Sequence, residues 1–240
     1  MKSVLFSIIF LTSVHSFAKN TWKIIGDNNL VAVNAEATNI PFRYRNIVDA
    51  FGIIQVGCTA THIGNGYVLT AGHCFWASDK LKRNQSCGED YNVKWGYREG
   101  AEVYLTSKCV ELIAAQMNDK YDFAIFKVYP VPPVSIPVNL NDLSKYKTKL
   151  TIFSHPNEYP LRWSKSCYLK RTISFGFETT VLQHQCDTQP GSSGATILDA
   201  ETLEVVGIHD GGISSGVSGM NYGTFISTSP LRKILVSLGF

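Results

Sequence analysis

The strongest constraint on the fold is a succession of short segments rich in Val, Ile, Tyr, Phe and Thr, cut at close intervals by Gly, Pro, Asn and Asp. Phe51–Val56, Gly66–Thr70, Ala101–Leu105, Phe123–Val128, Leu150–Phe153, Thr172–Phe177, Ala195–Leu198, Val205–Ile208 and Thr224–Ile226 all have the composition and length of strands. Helical periodicity is almost absent between them. Strands spaced this closely form antiparallel sandwiches or barrels rather than βαβ units. Tyr129–Pro137 carries Pro130, Pro132, Pro133 and Pro137. Proline cannot donate to a ladder, so this stretch is excluded from a central strand and reads as a linker between two halves of similar length. Only the end predicts a helix, with Ser229 as N-cap, Pro230 at the first helical position, and an apolar stripe of Leu231, Ile234, Leu235 and Leu238.

The first residues have a different character. Lys2 precedes an apolar run from Val4 to Val14, and Ser16-Phe17-Ala18 supplies small residues where a signal peptidase cuts. The run is short for a bilayer span, so residues 1–18 read as a signal peptide. About 220 residues follow, enough for one large domain with a real core. All six cysteines lie in that part: Cys58, Cys74, Cys87, Cys109, Cys167 and Cys186. In an exported chain they imply three disulfides, and without a C-x-x-C pair a zinc cluster is not expected. Neither metal nor cofactor is expected. The formal charge of +3 comes from Lys2, Lys19 and Lys23, since no acid precedes Ile24. A chain beginning at Ile24 is formally neutral. It has no basic patch for nucleic acid and no membrane attachment once the signal is removed, and a monomer is expected.

Three further stretches can carry chemistry. Thr70-Ala71-Gly72-His73-Cys74 follows the strand pattern Gly66–Leu69, so a His at a strand end can be held rigidly over a cleft. Cys58, sixteen residues upstream across an expected hairpin, would brace that loop by a bridge to Cys74. Tyr121-Asp122-Phe123-Ala124-Ile125-Phe126 places a carboxylate directly before an apolar strand, which draws it inward; the Nδ1–H of a His is a fitting partner. Asp187-Thr188-Gln189-Pro190-Gly191-Ser192-Ser193-Gly194-Ala195 makes a sharp turn able to present a Ser hydroxyl and aim successive backbone N–H groups into one hollow. Taken singly, each stretch has an ordinary reading: a structural His, a turn Asp, a common Ser/Gly loop.

In combination and in this order they resemble the chymotrypsin-like serine peptidases. T-A-G-H-C around His73 matches the family's His motif, Y-D-F-A-I-F its Asp motif, and G-S-S-G-A its nucleophile motif loosely. The resemblance implies an all-β chain of two six-stranded antiparallel β-barrels with the active site between them. The N-terminal barrel would cover about residues 24–130, the C-terminal barrel about 138–228, and a helix about 229–239. It implies a secreted endopeptidase acting on proteins or peptides through an acyl-enzyme. Ser193 resembles the nucleophile, His73 the general base and acid, and Asp122 the residue that orients it. The N–H groups of Gly191 and Ser193 would form the oxyanion hole, with Gly191 leaving room for the substrate carbonyl. Ser192 competes as nucleophile, but the motif puts the active Ser directly before Gly194. Esterases with the same three residue types use G-x-S-x-G and the order Ser, Asp, His, which this chain does not have.

The chain also departs from the family's best-known members. Trypsin and chymotrypsin carry an Asp directly before the nucleophile, to pair with a newly released N-terminus; here that position is Ser192. The likeness is closer to the bacterial glutamyl-endopeptidase branch, through Ile24–Asn29, Ile40–Arg45 and Gly207–Gly212. Ile24 follows Lys23, so residues 19–23 read as a short propeptide. Specificity points two ways. Asp187 lies where an Asp draws Lys or Arg in trypsin, whereas Thr188 and His209 match the residues that bind the substrate carboxylate in the glutamyl branch, and Asp210 beside His209 would oppose an acidic ligand. The balance favours cleavage after Glu, with Lys/Arg as the alternative and a non-catalytic binding protein as the competing class. Gly211 and Gly212 would form an edge that pairs with substrate backbone. Beyond Cys58–Cys74, Cys167–Cys186 would brace the approach to the nucleophile turn, and Cys87–Cys109 follows by elimination. His62, His155 and His184 carry no motif and read as structural or surface residues. Phe75-Trp76 reads as packing near the cleft.

Overall fold

The computed structural model describes residues 24–142, 148–170, 181–213 and 219–240. The expected signal peptide, propeptide and strand Thr172–Phe177 lie outside them. Fourteen strands are seen among the described residues: β1 Val31–Ala32, β2 Phe51–Ile54, β3 Cys58–Gly64, β4 Tyr67–Thr70, β5 Lys82–Ser86, β6 Val93–Trp95, β7 Leu105–Met117, β8 Asp122–Tyr129, β9 Lys149–Ser154, β10 Arg162–Lys170, β11 Val181–His184, β12 Thr196–Asp199, β13 Val205–Ile213 and β14 Met220–Phe225. The first sheet runs β5-β7-β6-β2-β3-β4-β8, and β7 also pairs with β8, which closes six strands into a barrel with β5 appended. The second runs β1-β10-β11-β14-β13-β12-β9, and β9 also pairs with β10, which closes another six with β1 appended. All these strand pairs are antiparallel. Closure removes most free edges from an all-antiparallel chain. The chain therefore starts on the second barrel, through the pairing of Val31 with Trp163, before it enters the first.

Two sequence expectations change. Ala101–Leu105 is not a strand: Ala101 makes only a bridge to Arg98 around the Glu99-Gly100 turn, and the long strand begins at Leu105. β3, sequence CTATHIG, escaped notice because its polar residues break the apolar pattern. It is nonetheless buried, because those residues find partners. Thr61 and Thr196 hydroxyls meet at 2.9 Å, and the Thr59 hydroxyl donates to the Gly191 carbonyl at 2.9 Å. Both bonds join the barrels. His62 Nδ1 lies 2.7 Å from the Val134 carbonyl of the linker.

Phe153 of β9 stacks on Phe51 of β2 at 5.0 Å, so one aromatic core also spans the two barrels. The C-terminal helix Pro230–Ser237 seals this core with Leu231, Ile234 and Leu235. Ser229 occupies the N-cap position as expected, but its hydroxyl donates back to the Ile226 carbonyl at 3.1 Å and does not cap the helix. Disulfides join Cys58–Cys74, Cys87–Cys109 and Cys167–Cys186, the three expected pairs.

Candidate active site

His73 sits in a single helical turn, Gly72–Phe75, directly after β4, and Asp122 opens β8, the neighbour of β4. The Cys58–Cys74 bridge ties the turn to β3. The His73 backbone N–H donates to Asp122 Oδ1 at 2.8 Å, and Nδ1 lies 2.6 Å from Oδ2. A carboxylate only accepts, so the proton sits on Nδ1 and leaves Nε2 as an acceptor. The His73 side chain is 31% exposed and Asp122 13%, so the imidazole reaches solvent while its partner is mostly enclosed. The second barrel holds this pair from behind: the Asp122 N–H donates to the Thr224 hydroxyl of β14 at 2.8 Å.

The turn before β12 separates its two serines. Ser192 is fully buried, its hydroxyl 3.0 Å from that of Ser154 and accepting from the Gln189 N–H. Ser193 remains partly exposed. Its carbonyl accepts from the Thr59 N–H at 2.9 Å. Gly194 has φ +83°, and a Cβ there would lie 2.0 Å from the Thr70 hydroxyl and 2.8 Å from the Ala71 nitrogen. The Ser193-Gly194 step is thus pressed against the strand end that leads, two residues on, to His73. Backbone donors alternate along the turn. Ser192 N–H is bound to the Gln189 carbonyl and Gly194 N–H to the His209 carbonyl, while Gly191 N–H and Ser193 N–H have no acceptor among the described residues. Gly191 has φ +91°, and a Cβ there would lie 2.6 Å from the His155 carbonyl. Its bareness is demanded by the chain's own loop, not only by an incoming carbonyl as the sequence suggested.

The specificity residues divide. Thr188 is fully buried, and its hydroxyl has no partner among the described residues. His209 is fully buried, with Nδ1 3.1 Å from Nε2 of His184 on β11. Burial pushes His184 down to about 3, so it is neutral. Sequence reasoning set His184 aside, and no local signal marks it; only folding brings β11 behind His209, where His184 also abuts the Cys167–Cys186 bridge. That bridge and Cys58–Cys74 use up the sulfurs of the two Cys/His groups found among the described residues. Asp187 is buried with both oxygens engaged, Oδ1 by the Ile25 N–H and Oδ2 by the Asn29 N–H, each at 2.8 Å. Asp210, next to His209, is engaged by the Thr224 hydroxyl, which donates to its Oδ2 at 2.9 Å. Gly211 and Gly212 lie beyond Ile208, the last β13 residue paired with β12. Phe75 is buried against Tyr91, while Trp76 beside the His73 turn is 80% exposed.

Comparison with curated proteins finds no match. Among solved structures, a Glu endopeptidase in complex with MPD aligns with a TM-score of 0.63 at 21% identity, over 89% of this chain and 98% of that one. The likeness establishes a chymotrypsin-like double barrel. Residues 58–208, more than half of the chain, match the trypsin-like peptidase domain and enclose His73, Asp122 and Ser193. With that match spanning both barrels, the chain belongs to the trypsin-like peptidases, serine endopeptidases that hydrolyse peptide bonds.

Proposed function

We propose that this protein is an exported endopeptidase that cleaves after Glu, with Ser193 as nucleophile, His73 as base and acid, and Asp122 as the orienting carboxylate. The observation that carries the chemistry is the 2.6 Å contact of His73 with Asp122, which leaves Nε2 free to take a proton. Ser193 Oγ attacks the scissile carbonyl carbon as its proton passes to Nε2. The carbonyl oxygen becomes an oxyanion and accepts the unengaged N–H groups of Gly191 and Ser193, donors of a kind worth roughly 3 kcal/mol each in the transition state. The C–N bond breaks as Nε2 gives its proton to the leaving amine, and water releases the acyl group by the same steps in reverse.

Preference for Glu is supported by the two buried histidines. His184 is neutral and has one ring proton to place. Its Nδ1 is buried without a partner among the described residues. The contact suits a carboxylate in one tautomer pair, with His184 donating from Nε2 to His209 Nδ1. His209 then carries its own proton on Nε2, as a donor. With the Thr188 hydroxyl this makes a site for a carboxylate. Lys/Arg specificity would need a free carboxylate at Asp187, whose oxygens both bind the N-terminal segment.

Export is supported by residues 1–18, read as a signal, and by three disulfides, which persist in oxidising compartments. Among the described residues no helix is long and apolar enough to cross a membrane. The active form is proposed to begin at Ile24, which N-terminal sequencing checks; an uncut Lys19 or Asn20 end refutes it. The decisive experiment is digestion of a mixed peptide library. Glu before each cut supports the reading, and Lys or Arg there overturns it. A serine-reactive phosphonate that fails to label Ser193 makes the protein a binding module instead.

A further inference from the structure

Behind the His73–Asp122 pair lies a second carboxyl group that the chemistry above does not use. The Thr224 hydroxyl accepts from the Asp122 N–H at 2.8 Å and donates to Asp210 Oδ2 at 2.9 Å. Asp210 therefore ends a short chain: Asp122 N–H, Thr224 hydroxyl, Asp210 carboxyl. The residue as a whole is partly exposed, but its Oδ1 is shut off from solvent and has no partner among the described residues. Two carboxyl groups in one enclosed space do not both ionise cheaply. Asp122 already fills the anion's role, with both oxygens accepting from His73.

We propose that Asp210 is a positioning residue that keeps its proton at neutral pH, anchoring the Asp122 end of β8 through Thr224 without adding a second negative charge behind His73. Ionised, it would be a buried anion with a single hydrogen bond. Burial, then the Asp122 charge, holds it well above the usual carboxylate range. The titratable groups within electrostatic reach agree. Asp122 is on β8, and Tyr222, on β14, has its phenol pushed up first by burial, so it stays neutral there. His209, next to it on β13, is turned instead to His184. The same enclosure explains why an acid is tolerated beside a site proposed to receive a substrate carboxylate: a neutral Asp210 does not repel it.

The inference rests on reading His73, Asp122 and Ser193 as a triad, so its main test avoids turnover. Infrared difference spectra are recorded at pH 7 between the processed protein and Asp210→Asn, both carrying Ser193→Ala to stop self-digestion. A protonated-acid carbonyl stretch present in the first and missing in the second is the expected result; its absence from the first overturns the proposal. Should Asp210→Asn not fold, carboxyl 13C signals of Asp-labelled wild-type protein decide: one Asp at the protonated-acid position at pH 7 supports the assignment, and none overturns it. Kinetics adds a readout that a merely structural role would not move. The acid limb of the kcat/KM profile stays in place in Asp210→Asn, and Asp210→Ala loses about tenfold that Asn restores. A limb moving down by about one pH unit in Asp210→Asn shows that a negative charge was removed, and sinks the idea. Failure of the phosphonate to label Ser193 defeats the triad reading alone and leaves the spectra to decide this one.

Discussion

Asp187 and Ile25 meet across the molecule: the Ile25 backbone N–H donates to Oδ1 of Asp187 at 2.8 Å, joining positions 162 apart in the chain. Asn29 supplies the same service to Oδ2. A buried carboxylate with two backbone donors is a clasp, and removing it orphans both donors. Asp187→Ala is expected to cost about 2–4 kcal/mol in denaturant unfolding, and to speed amide exchange at Ile25 and Asn29 ahead of the rest of the protein. Unchanged exchange at those two amides would contradict the clasp.

In the proposed mechanism Asp122 fixes the tautomer of His73 without itself taking part in proton transfer. Asp122→Asn turns one acceptor into a donor and reverses the ring's preference. The expected loss is about 10^4-fold in kcat with a small change in KM. Ser193→Ala should lose at least about 10^3-fold, whereas Ser192→Ala, whose hydroxyl bonds Ser154 and the Gln189 N–H, should lower stability more than it lowers turnover. Equal losses from the two serine variants would count against Ser193 as nucleophile.

The proposed carboxylate site can be probed one group at a time. Thr188→Val keeps the shape and removes the hydroxyl. It should lower kcat/KM for Glu peptides by about tenfold, with a smaller effect on Gln peptides. His184→Phe keeps the ring packing but removes the donor to His209. It should lower the same ratio, because the His209 proton is no longer confined to Nε2. A Glu-to-Gln ratio unaffected by either change would exclude the site.

Burial sets a pH dependence of stability. His155 is pushed down to about 4 and His184 to about 3, each by desolvation. Below pH 6.5 these histidines gain protons in the unfolded chain but not in the folded one, so stability falls on acidification and is regained as pH rises to about 6.5. Each contributes about 2 kcal/mol between pH 6.5 and 4.5. Asp210, raised instead, has the opposite sign: its contribution is present at low pH and fades as pH climbs through its folded value. Urea unfolding at both pH values should show His155→Gln losing about 2 kcal/mol less than wild type over that interval. A difference near zero would refute it.

Gly194 is closed to any side chain by backbone on two sides, the Thr59 carbonyl and the Ala71 nitrogen. Gly194→Ala is expected to destabilise by more than about 3 kcal/mol or to prevent folding, since φ +83° and the clash act together. Gly100, with the same sign of φ but open space around it, should tolerate Ala at a cost near 1 kcal/mol. Thermal unfolding of the pair gives the comparison.

What the sequence made legible was what is local. The His73 turn, the Asp122 strand start, the turn before β12 and the C-terminal helix all announce themselves within a few residues, because strand ends, turn glycines and apolar stripes have short-range chemistry. What it concealed depends on partners far along the chain. β3 is polar enough to pass for a loop until the second barrel supplies hydrogen-bond partners for Thr59 and Thr61. Asp187 has the offset of a pocket-base residue, and only the return of the N-terminal segment turns it into a clasp. His184 and Asp210 acquire roles through β11 and Thr224, neither of which any motif marks.

The pairing of β1 with β10 means that the chain's two halves are not two modules. A fragment starting after the proline-rich linker would lack one edge strand and both donors on Asp187. A fragment ending there would carry a loose tail whose natural seat is missing. Splitting the gene at the linker would therefore yield pieces that must find each other to work, and any scheme that exchanges barrels between relatives has to transplant the first dozen described residues together with the second barrel, not the first.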